Sequence, residues 1–207
     1  MAIPADRVVG VLLAGGQARR MGGGDKCLRE LAGETLLARA VRRLEGQVGR
    51  LVLNANGDPG RFASYRLPIA ADPVEGFAGP LAGVLAGLDW AAEHAPRSEW
   101  IVSVPTDAPA FPTDLVARLA DAVARDGADL ACASSAGRHH PVFGLWPVAL
   151  RAALREALID RDVRKVDLFT ADYRLAVAEW PVEPVDPFLN VNRPDELAAA
   201  ERMLAIL

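Results

Sequence analysis

Four apolar runs divide the first half of the chain, and each ends at glycine, proline or a polar residue. They are Val8–Ala14, Leu51–Leu53, Pro68–Ala71 and Trp100–Val104. Runs that are apolar at nearly every position are typical of strands in a parallel sheet that is covered on both faces. We therefore predict that these segments form buried parallel strands.

Amphipathic segments alternate with the apolar runs and predict helices. Thr35 can cap a helix to about Leu44, a second helix runs from Leu81 to about Ala92, and Thr113 can cap a third to about Arg125. This alternation indicates an α/β fold, in which a mostly parallel sheet lies between helices in three α/β/α layers.

The second half of the chain is less regular. Strands are predicted at Leu130–Ser134, Val142–Trp146 and Leu175–Trp180, and a helix at Pro147–Leu158. The last helix is predicted to begin at Pro194, since proline suits the first helical position. No linker, repeat or low-complexity tract interrupts the chain, so we predict a single domain.

Charge and composition argue against several classes of protein. The chain has 207 residues and a formal net charge of −4, whereas nucleic-acid-binding proteins usually carry a basic surplus. No apolar run is long enough to span a bilayer, and the first residues do not resemble a signal peptide. The two cysteines, Cys27 and Cys132, make no disulfide framework. We expect a cytoplasmic protein that binds neither nucleic acid nor membranes.

Polar residues and glycines follow each of the four predicted strands of the first half. The loops at these positions contain Gly15, Asn54, Asp72 and Asp107. Ligands of open α/β sheets bind outside the carboxyl ends of the strands. We therefore expect these residues to assemble a polar binding site.

The first of these loops is rich in glycine and arginine. Gly15 and Gly16 let backbone N–H groups approach phosphate oxygens closely. Arg20 offers a planar fork for phosphate, and Lys26, one of only two lysines in the chain, offers a compact charge. The loop is either a triphosphate cradle or a mobile glycine loop with solvated charges. It has neither a Walker A motif nor a G-x-G-x-x-G fingerprint.

Two further features have a functional and a structural interpretation. Asp107 lies in a Pro-Thr-Asp-Ala-Pro segment, where aspartate suits either Mg²⁺ binding or an ordinary turn. All four asparagines occur in two Asn-x-Asn pairs, of which the second is Asn190 and Asn192. Alternate residues of an extended segment point the same way, so these two amides can read a polar ligand or cap the last helix.

Taken in order, several segments resemble the molybdenum cofactor guanylyltransferases. They are Leu13–Lys26 (LAGGQARRMGGGDK), Leu53–Asn56, Asp72, Gly79–Gly83, Pro105–Pro109, His140–Pro141 and Asn190–Leu197. The first loop alone is shared with sugar and cytidylyl nucleotidyltransferases, whereas the ordered set is more specific. The resemblance covers nearly the whole chain and implies the nucleotidyltransferase (nucleotide-diphospho-sugar transferase-like) fold.

The resemblance also implies roles for individual residues. Nucleotide binding would involve Leu13, Ala14, Gly15, Gly16, Lys26, Asn54, Asp72 and Asp107. Catalysis would involve Arg20, Lys26 and Asp107, with Asp107 as the Mg²⁺ ligand. The acceptor would contact His140, Asn190 and Asn192. Within one domain, 1–207, residues 1 to about 110 would bind the nucleotide and about 111 to 207 the acceptor.

The implied reaction transfers GMP from GTP to the phosphate of molybdenum-molybdopterin, with Mg²⁺ as cofactor and pyrophosphate as the second product. Gly15 favours a purine, because relatives that use CTP tend to have alanine there. The alternatives are a CTP-dependent molybdenum cofactor cytidylyltransferase and a sugar-phosphate nucleotidyltransferase. Transient contacts with proteins of cofactor biosynthesis and molybdoenzyme maturation are also implied.

Overall fold

Strands and helices alternate along the structure, a computed structural model that describes residues 3–15, 24–74, 79–192, 196, 200 and 201. The strands are β1 (Val8–Leu13), β2 (Glu30–Leu31), β3 (Glu34–Thr35), β4 (Arg50–Asn54), β5 (Ile69–Ala70), β6 (Trp100–Pro105), β7 (Leu130–Ser135), β8 (Arg138–Pro147) and β9 (Leu175–Trp180). The helices are α1 (Leu36–Leu44), α2 (Pro80–His94), α3 (Leu115–Asp126), α4 (Arg151–Ile159) and α5 (Val166–Thr170).

Seven of the strands form one sheet in the order β5-β4-β1-β6-β8-β7-β9. All neighbours in this sheet are parallel except at β8, which runs antiparallel to both β6 and β7. The short strands β2 and β3 form a separate antiparallel ribbon. The prediction of a mostly parallel sheet is therefore confirmed.

Side chains of β1 alternate between two hydrophobic cores, one on each face of the sheet. Val8 and Leu12 pack into a core with α1 and α3, whereas Val9 and Val11 pack into a core with α2 and α4. All four are completely buried, as the continuous apolar run predicts for a central strand. The predicted three-layer arrangement is confirmed.

Three predicted boundaries are wrong. β8 begins at Arg138 and not at Val142, because residues 138–140 pair with the end of β7. Thr113 does not cap α3, because the residue before the helix is Asp114 and the N–H of Val116 donates to Gln47 Oε1, 3.0 Å away. A side chain from a distant segment therefore takes the capping role. Pro147 does not begin a helix either, since it ends β8 opposite Trp100 and α4 begins at Arg151.

The remaining sequence predictions concern the ends of the chain and membranes. The helix predicted to begin at Pro194 starts outside the described residues, although 196, 200 and 201 are helical. Within the part of the chain that the structure describes, no helix is long and apolar enough to cross a membrane.

Candidate active site

The carboxyl ends of β4, β1 and β6 lie side by side and are joined by backbone hydrogen bonds. Ala14 N–H donates to the Asn54 carbonyl at 2.9 Å, and Thr106 donates to the Leu13 carbonyl through both its N–H (3.3 Å) and its hydroxyl (3.1 Å). After β1 the chain adds β4 and β5 on one side of β1, and it then crosses over to add β6 on the other side. This is the switch point where ligands of such sheets bind.

A cavity of about 860 Å³ opens at this edge of the sheet. It is large enough for a nucleotide-sized ligand. Most residues predicted to form the site line it, namely Leu13, Gly15, Lys26, Asn54, Asp72, Asp107, His140 and Asn190. The topology therefore brings together residues from both halves of the chain.

Lys26 lines this cavity and bonds to two other segments of the chain. Its ammonium donates to Asp107 Oδ2 and to Asn192 Oδ1, each at 2.6 Å. The Lys26 side chain is 12% exposed and that of Asp107 is 23% exposed, so the ion pair is largely screened from solvent. Lys26 thus connects the loop after β6, which contains Asp107, to Asn192, which lies 166 positions after Lys26 in the sequence.

Asp107 offers an acceptor that the protein leaves unpaired. Its Oδ2 binds Lys26, whereas its Oδ1 is buried and has no hydrogen-bond partner among the described residues. Mg²⁺ takes one or two carboxylates and completes its shell with phosphates and water. No group of three or more histidine, cysteine or acidic side chains in the described part of the chain could hold a metal by itself. A lone buried carboxylate oxygen fits Mg²⁺ held jointly with a nucleotide.

Two asparagines hold the carboxylate of Asp72. Asn54 donates to Asp72 Oδ1 at 2.9 Å, and Asn56 donates to Oδ2 at 2.7 Å. Asn56 Oδ1 in turn accepts the backbone N–H of Asp72 at 2.8 Å. Asn54 is buried against Gly83 of α2, where a Cβ would overlap its Oδ1. The carboxylate is therefore oriented before any ligand binds.

An arginine ties the loop that carries Lys26 to the loop after β4. Arg61 Nη1 donates to both carboxylate oxygens of Asp25 at 2.5 and 2.6 Å, and its Nη2 donates to the Asn56 carbonyl at 2.5 Å. Hydrogen bonds between ionised partners are short and strong, and the second nitrogen of the same guanidinium holds the loop after β4. Asp25 immediately precedes Lys26, so this pair restrains the start of the lysine segment.

Cys27 follows Lys26 but cannot act as a nucleophile. Burial, and secondly the neighbouring Asp25 carboxylate, raise the pKa of the Cys27 thiol to about 12. The thiolate is the reactive form of cysteine, so this side chain stays neutral and inert at physiological pH. It packs in the hydrophobic core and lines the cavity next to Lys26.

The segment Asp186–Asn192, which we name the strap, contributes Asn190 to the cavity wall. Phe188 stacks on the His140 ring at 4.8 Å between centroids. Val191 N–H donates to the Asp107 carbonyl at 2.8 Å. The strap therefore connects the surroundings of His140 to those of Lys26 and Asp107.

Not every predicted residue lies in the cavity wall. Ala14 is 5% exposed and contributes its backbone N–H to the Asn54 carbonyl. Asn192 contacts Lys26, and its backbone N–H donates to Glu196 Oε2 at 2.5 Å. Gly16 and Arg20 lie outside the described residues. Their roles in binding and catalysis stay predictions.

Several residues that shape the site were not among the sequence predictions. Asparagine is scarce in this chain, and Asn56 forms an Asn-x-Asn pair with Asn54, so the sequence contained enough information to predict Asn56 as a site residue. Asp25 and Arg61 meet across 36 positions, and Ser135 meets Asp186 across 51 positions. No local pattern could have identified those pairs.

Comparison with known proteins places the chain in a family. Residues 10–173 match the MobA-like NTP transferase domain. The molybdenum cofactor guanylyltransferase of Rhodopseudomonas palustris is 62% identical over 92% of this chain and 89% of its own length. The protein of the same name from a Bradyrhizobium species is 58% identical over 96% of this chain and 94% of its own length.

A solved structure supports the fold. Molybdopterin-guanine dinucleotide biosynthesis protein A from Archaeoglobus fulgidus superposes with a TM-score of 0.74 at 21% identity, covering 96% of this chain and all (100%) of that one. At 21% identity this similarity shows the fold alone. The family is shown by the more similar relatives and by the domain match. The chain is a nucleotidyltransferase that belongs to the molybdenum cofactor guanylyltransferase family.

Proposed function

We propose that this enzyme transfers GMP from GTP to the phosphate of molybdenum-molybdopterin and releases pyrophosphate. The observation that carries the proposal is the meeting of Lys26, Asp107 and the strap at the carboxyl ends of β1 and β6. The names of the close relatives supply the two substrates. The proposal extends to a cytoplasmic location and to transient contacts with proteins that supply and receive the cofactor.

The site suits a reaction whose main barrier is charge. The nucleophile is a phosphate oxygen that is already anionic, so no side chain needs to remove a proton. Two anions must meet while a third departs, and fixed positive charge stabilises that arrangement. Lys26 supplies a positive charge inside the cavity, and its two partners, Asp107 and Asn192, fix its position before the substrates arrive. We also assign charge neutralisation to Arg20.

Asp107 is the residue that would hold Mg²⁺, through the carboxylate oxygen that lacks a partner among the described residues. When bound, the ion supplies positive charge that offsets the charge of the phosphates. Leu13, Gly15, Asn54 and Asp72 line the part of the cavity that we assign to the nucleotide. His140 and Asn190 line the part that we assign to the acceptor.

A nucleotide panel tests this proposal directly. The purified enzyme is given α-³²P-labelled GTP, CTP or ATP, each with Mg²⁺ and molybdopterin that is either bare or loaded with molybdenum. We expect label to move to the acceptor from GTP alone, with one pyrophosphate released per transfer. Transfer from CTP in preference to GTP contradicts the base assignment, and absence of transfer from every nucleotide contradicts the acceptor assignment.

Gly83→Ala is expected to weaken nucleotide binding about tenfold, or about 1.4 kcal/mol. The added methyl group would overlap Asn54 Oδ1 and lie 2.7 Å from Leu13 Cδ2, so it displaces the amide that holds Asp72. Overpacking of this kind costs about 1–3 kcal/mol of stability. Titration with GTP and denaturation by urea measure the two effects.

Gly87→Ala is the matched control on the same helix. Its methyl group would overlap Val11, 2.9 Å from Cγ1, and the three atoms nearest to it all belong to Val11 and not to Asn54. We expect it to lower the free energy of unfolding without changing GTP affinity. Equal losses of affinity in the two variants would show that helix displacement, and not Asn54, sets nucleotide binding.

A further inference from the structure

Ser135, at the end of β7, lies between a histidine of the cavity wall and an acidic residue of the strap. Its hydroxyl is 2.7 Å from His140 Nε2 and 3.0 Å from Asp186 Oδ1. Ser135 is 1% exposed, whereas His140 and Asp186 are half-buried, so the serine hydroxyl itself is shielded from water. The three side chains form a short chain of hydrogen bonds that the transfer reaction itself does not require.

The number of protons available to these three side chains determines which nitrogen of His140 is protonated. A serine hydroxyl has one proton, and an ionised carboxylate can only accept. The Ser135 proton is therefore donated to Asp186, and the Ser135 oxygen must accept from His140 Nε2–H. Asp186 is held in turn, because its Oδ1 also accepts the backbone N–H of Phe188 at 3.0 Å.

Packing and burial keep the ring in one place and favour its neutral form. Phe188 is 3% exposed and stacks on the His140 ring with an interplanar angle of 29°. Burial lowers the pKa of His140, and the opposing effect of the Asp186 carboxylate is smaller. Arg138 and His139 act with burial, whereas Glu179 acts with Asp186. A neutral ring that carries its proton on Nε2 has a free lone pair on Nδ1.

We propose that Ser135 and Asp186 are positioning residues that hold His140 as the Nε2–H tautomer, so that Nδ1 accepts a hydrogen bond from an N–H group of the acceptor's heterocycle. His140 lines the cavity, which opens beside the strap. The ligand class is an amino-substituted fused nitrogen heterocycle, which offers ring N–H and amino donors. This inference rests on the proposed function for the identity of the acceptor.

The chain offers a closely matched control. Ser134 is the neighbouring residue of β7 and is also 1% exposed, but its hydroxyl bonds to Glu179 instead of to His140. Ser134→Ala and Ser135→Ala remove the same atom from the same strand. Only the second removes the partner of His140.

The first measurement is the tautomer of His140 in the free enzyme, read from ¹⁵N shifts and long-range ¹H–¹⁵N couplings. The chain has three histidines, and a His140→Gln variant assigns the signal, because only the His140 resonance disappears in it. We expect a protonated Nε2 and an unprotonated Nδ1 in the wild type and in Ser134→Ala. We expect a mixture of tautomers in Ser135→Ala and in Asp186→Asn, because an amide can donate as well as accept. A wild-type ring protonated on Nδ1 overturns the inference.

The second measurement separates positioning from general stability. With molybdopterin as the acceptor, Ser135→Ala is expected to raise the acceptor KM about tenfold and to leave the KM for GTP within about twofold. Ser134→Ala is expected to leave both unchanged. Equal effects of the two variants, or an effect on GTP alone, contradict the inference. If neither the wild type nor any variant transfers the nucleotide, the proposed function fails. The tautomer measurement then decides by itself whether Ser135 and Asp186 position His140.

Discussion

Asp107→Ala is expected to lower nucleotide transfer by at least about a thousandfold, the upper range for losing one electrostatic contact to a reacting group. The variant loses the carboxylate that we assign to Mg²⁺ and the partner that fixes Lys26. The fold should survive, because the backbone bond from Val191 to the Asp107 carbonyl does not involve the side chain. Single-turnover transfer from GTP and circular dichroism measure the two quantities.

The control for this variant is Asp121→Ala, which removes an exposed carboxylate from α3. Its transfer rate and its thermal unfolding are expected to match the wild type. Binding of Mn²⁺ with a non-hydrolysable GTP analogue, followed by electron paramagnetic resonance, gives a readout besides turnover. Near-normal turnover or unchanged Mn²⁺ binding in Asp107→Ala would falsify the metal assignment.

Lys26→Met is expected to lower kcat/KM for GTP by about a hundredfold or more. Methionine keeps much of the length of lysine but removes the only lysine charge in the described wall of the cavity. Arginine is not expected to restore activity, because its planar fork needs more room than a side chain that is 12% exposed has available. Steady-state kinetics with GTP measure the effect.

The other lysine of the chain supplies the control. Lys165 is exposed, and Lys165→Met removes the same charge from a position outside the described wall of the cavity. Its kinetics are expected to stay within about twofold of the wild type. Lys26→Met should also retain Mn²⁺ binding, whereas Asp107→Ala should not. A loss of similar size in the two lysine variants would indicate that net charge, and not position, matters.

The sequence predicted the central part of the fold because those signals are local. The apolar run of β1 and the amphipathic pattern of α1 each depend on neighbouring residues, and Thr35 caps α1 as its sequence predicts, accepting from Ala38 N–H at 3.1 Å. The predicted cap of α3 was wrong because Gln47, which is distant in the sequence, accepts the N–H of Val116. The antiparallel direction of β8 was not predicted, since strand direction is set by how the chain crosses the sheet.

The candidate site was predictable in part for the same reason. Residues directly after strands, such as Asp72 and Asp107, follow from the rule that ligands bind at the carboxyl ends. Residues that act by meeting a distant partner do not follow from it. Ser135 and Asp186 carry no local signal, and Arg61 meets Asp25 only after the sheet has formed.

The position of the strap near the end of the sequence affects when, during synthesis, the chain can become active. Ribosomes deliver the chain from its N-terminus, so β9, which ends at Trp180, is available before Asn192 can reach Lys26. The sheet and the loops that carry Asn54 and Asp107 can therefore assemble around a cavity whose wall still lacks the strap. The bonds from Val191 and Asn192 can form only after the strap has been made, so we expect an unfinished polypeptide to hold the nucleotide-binding edge without a working centre. We expect activity to begin only when the strap has been made and has folded onto Lys26 and Asp107.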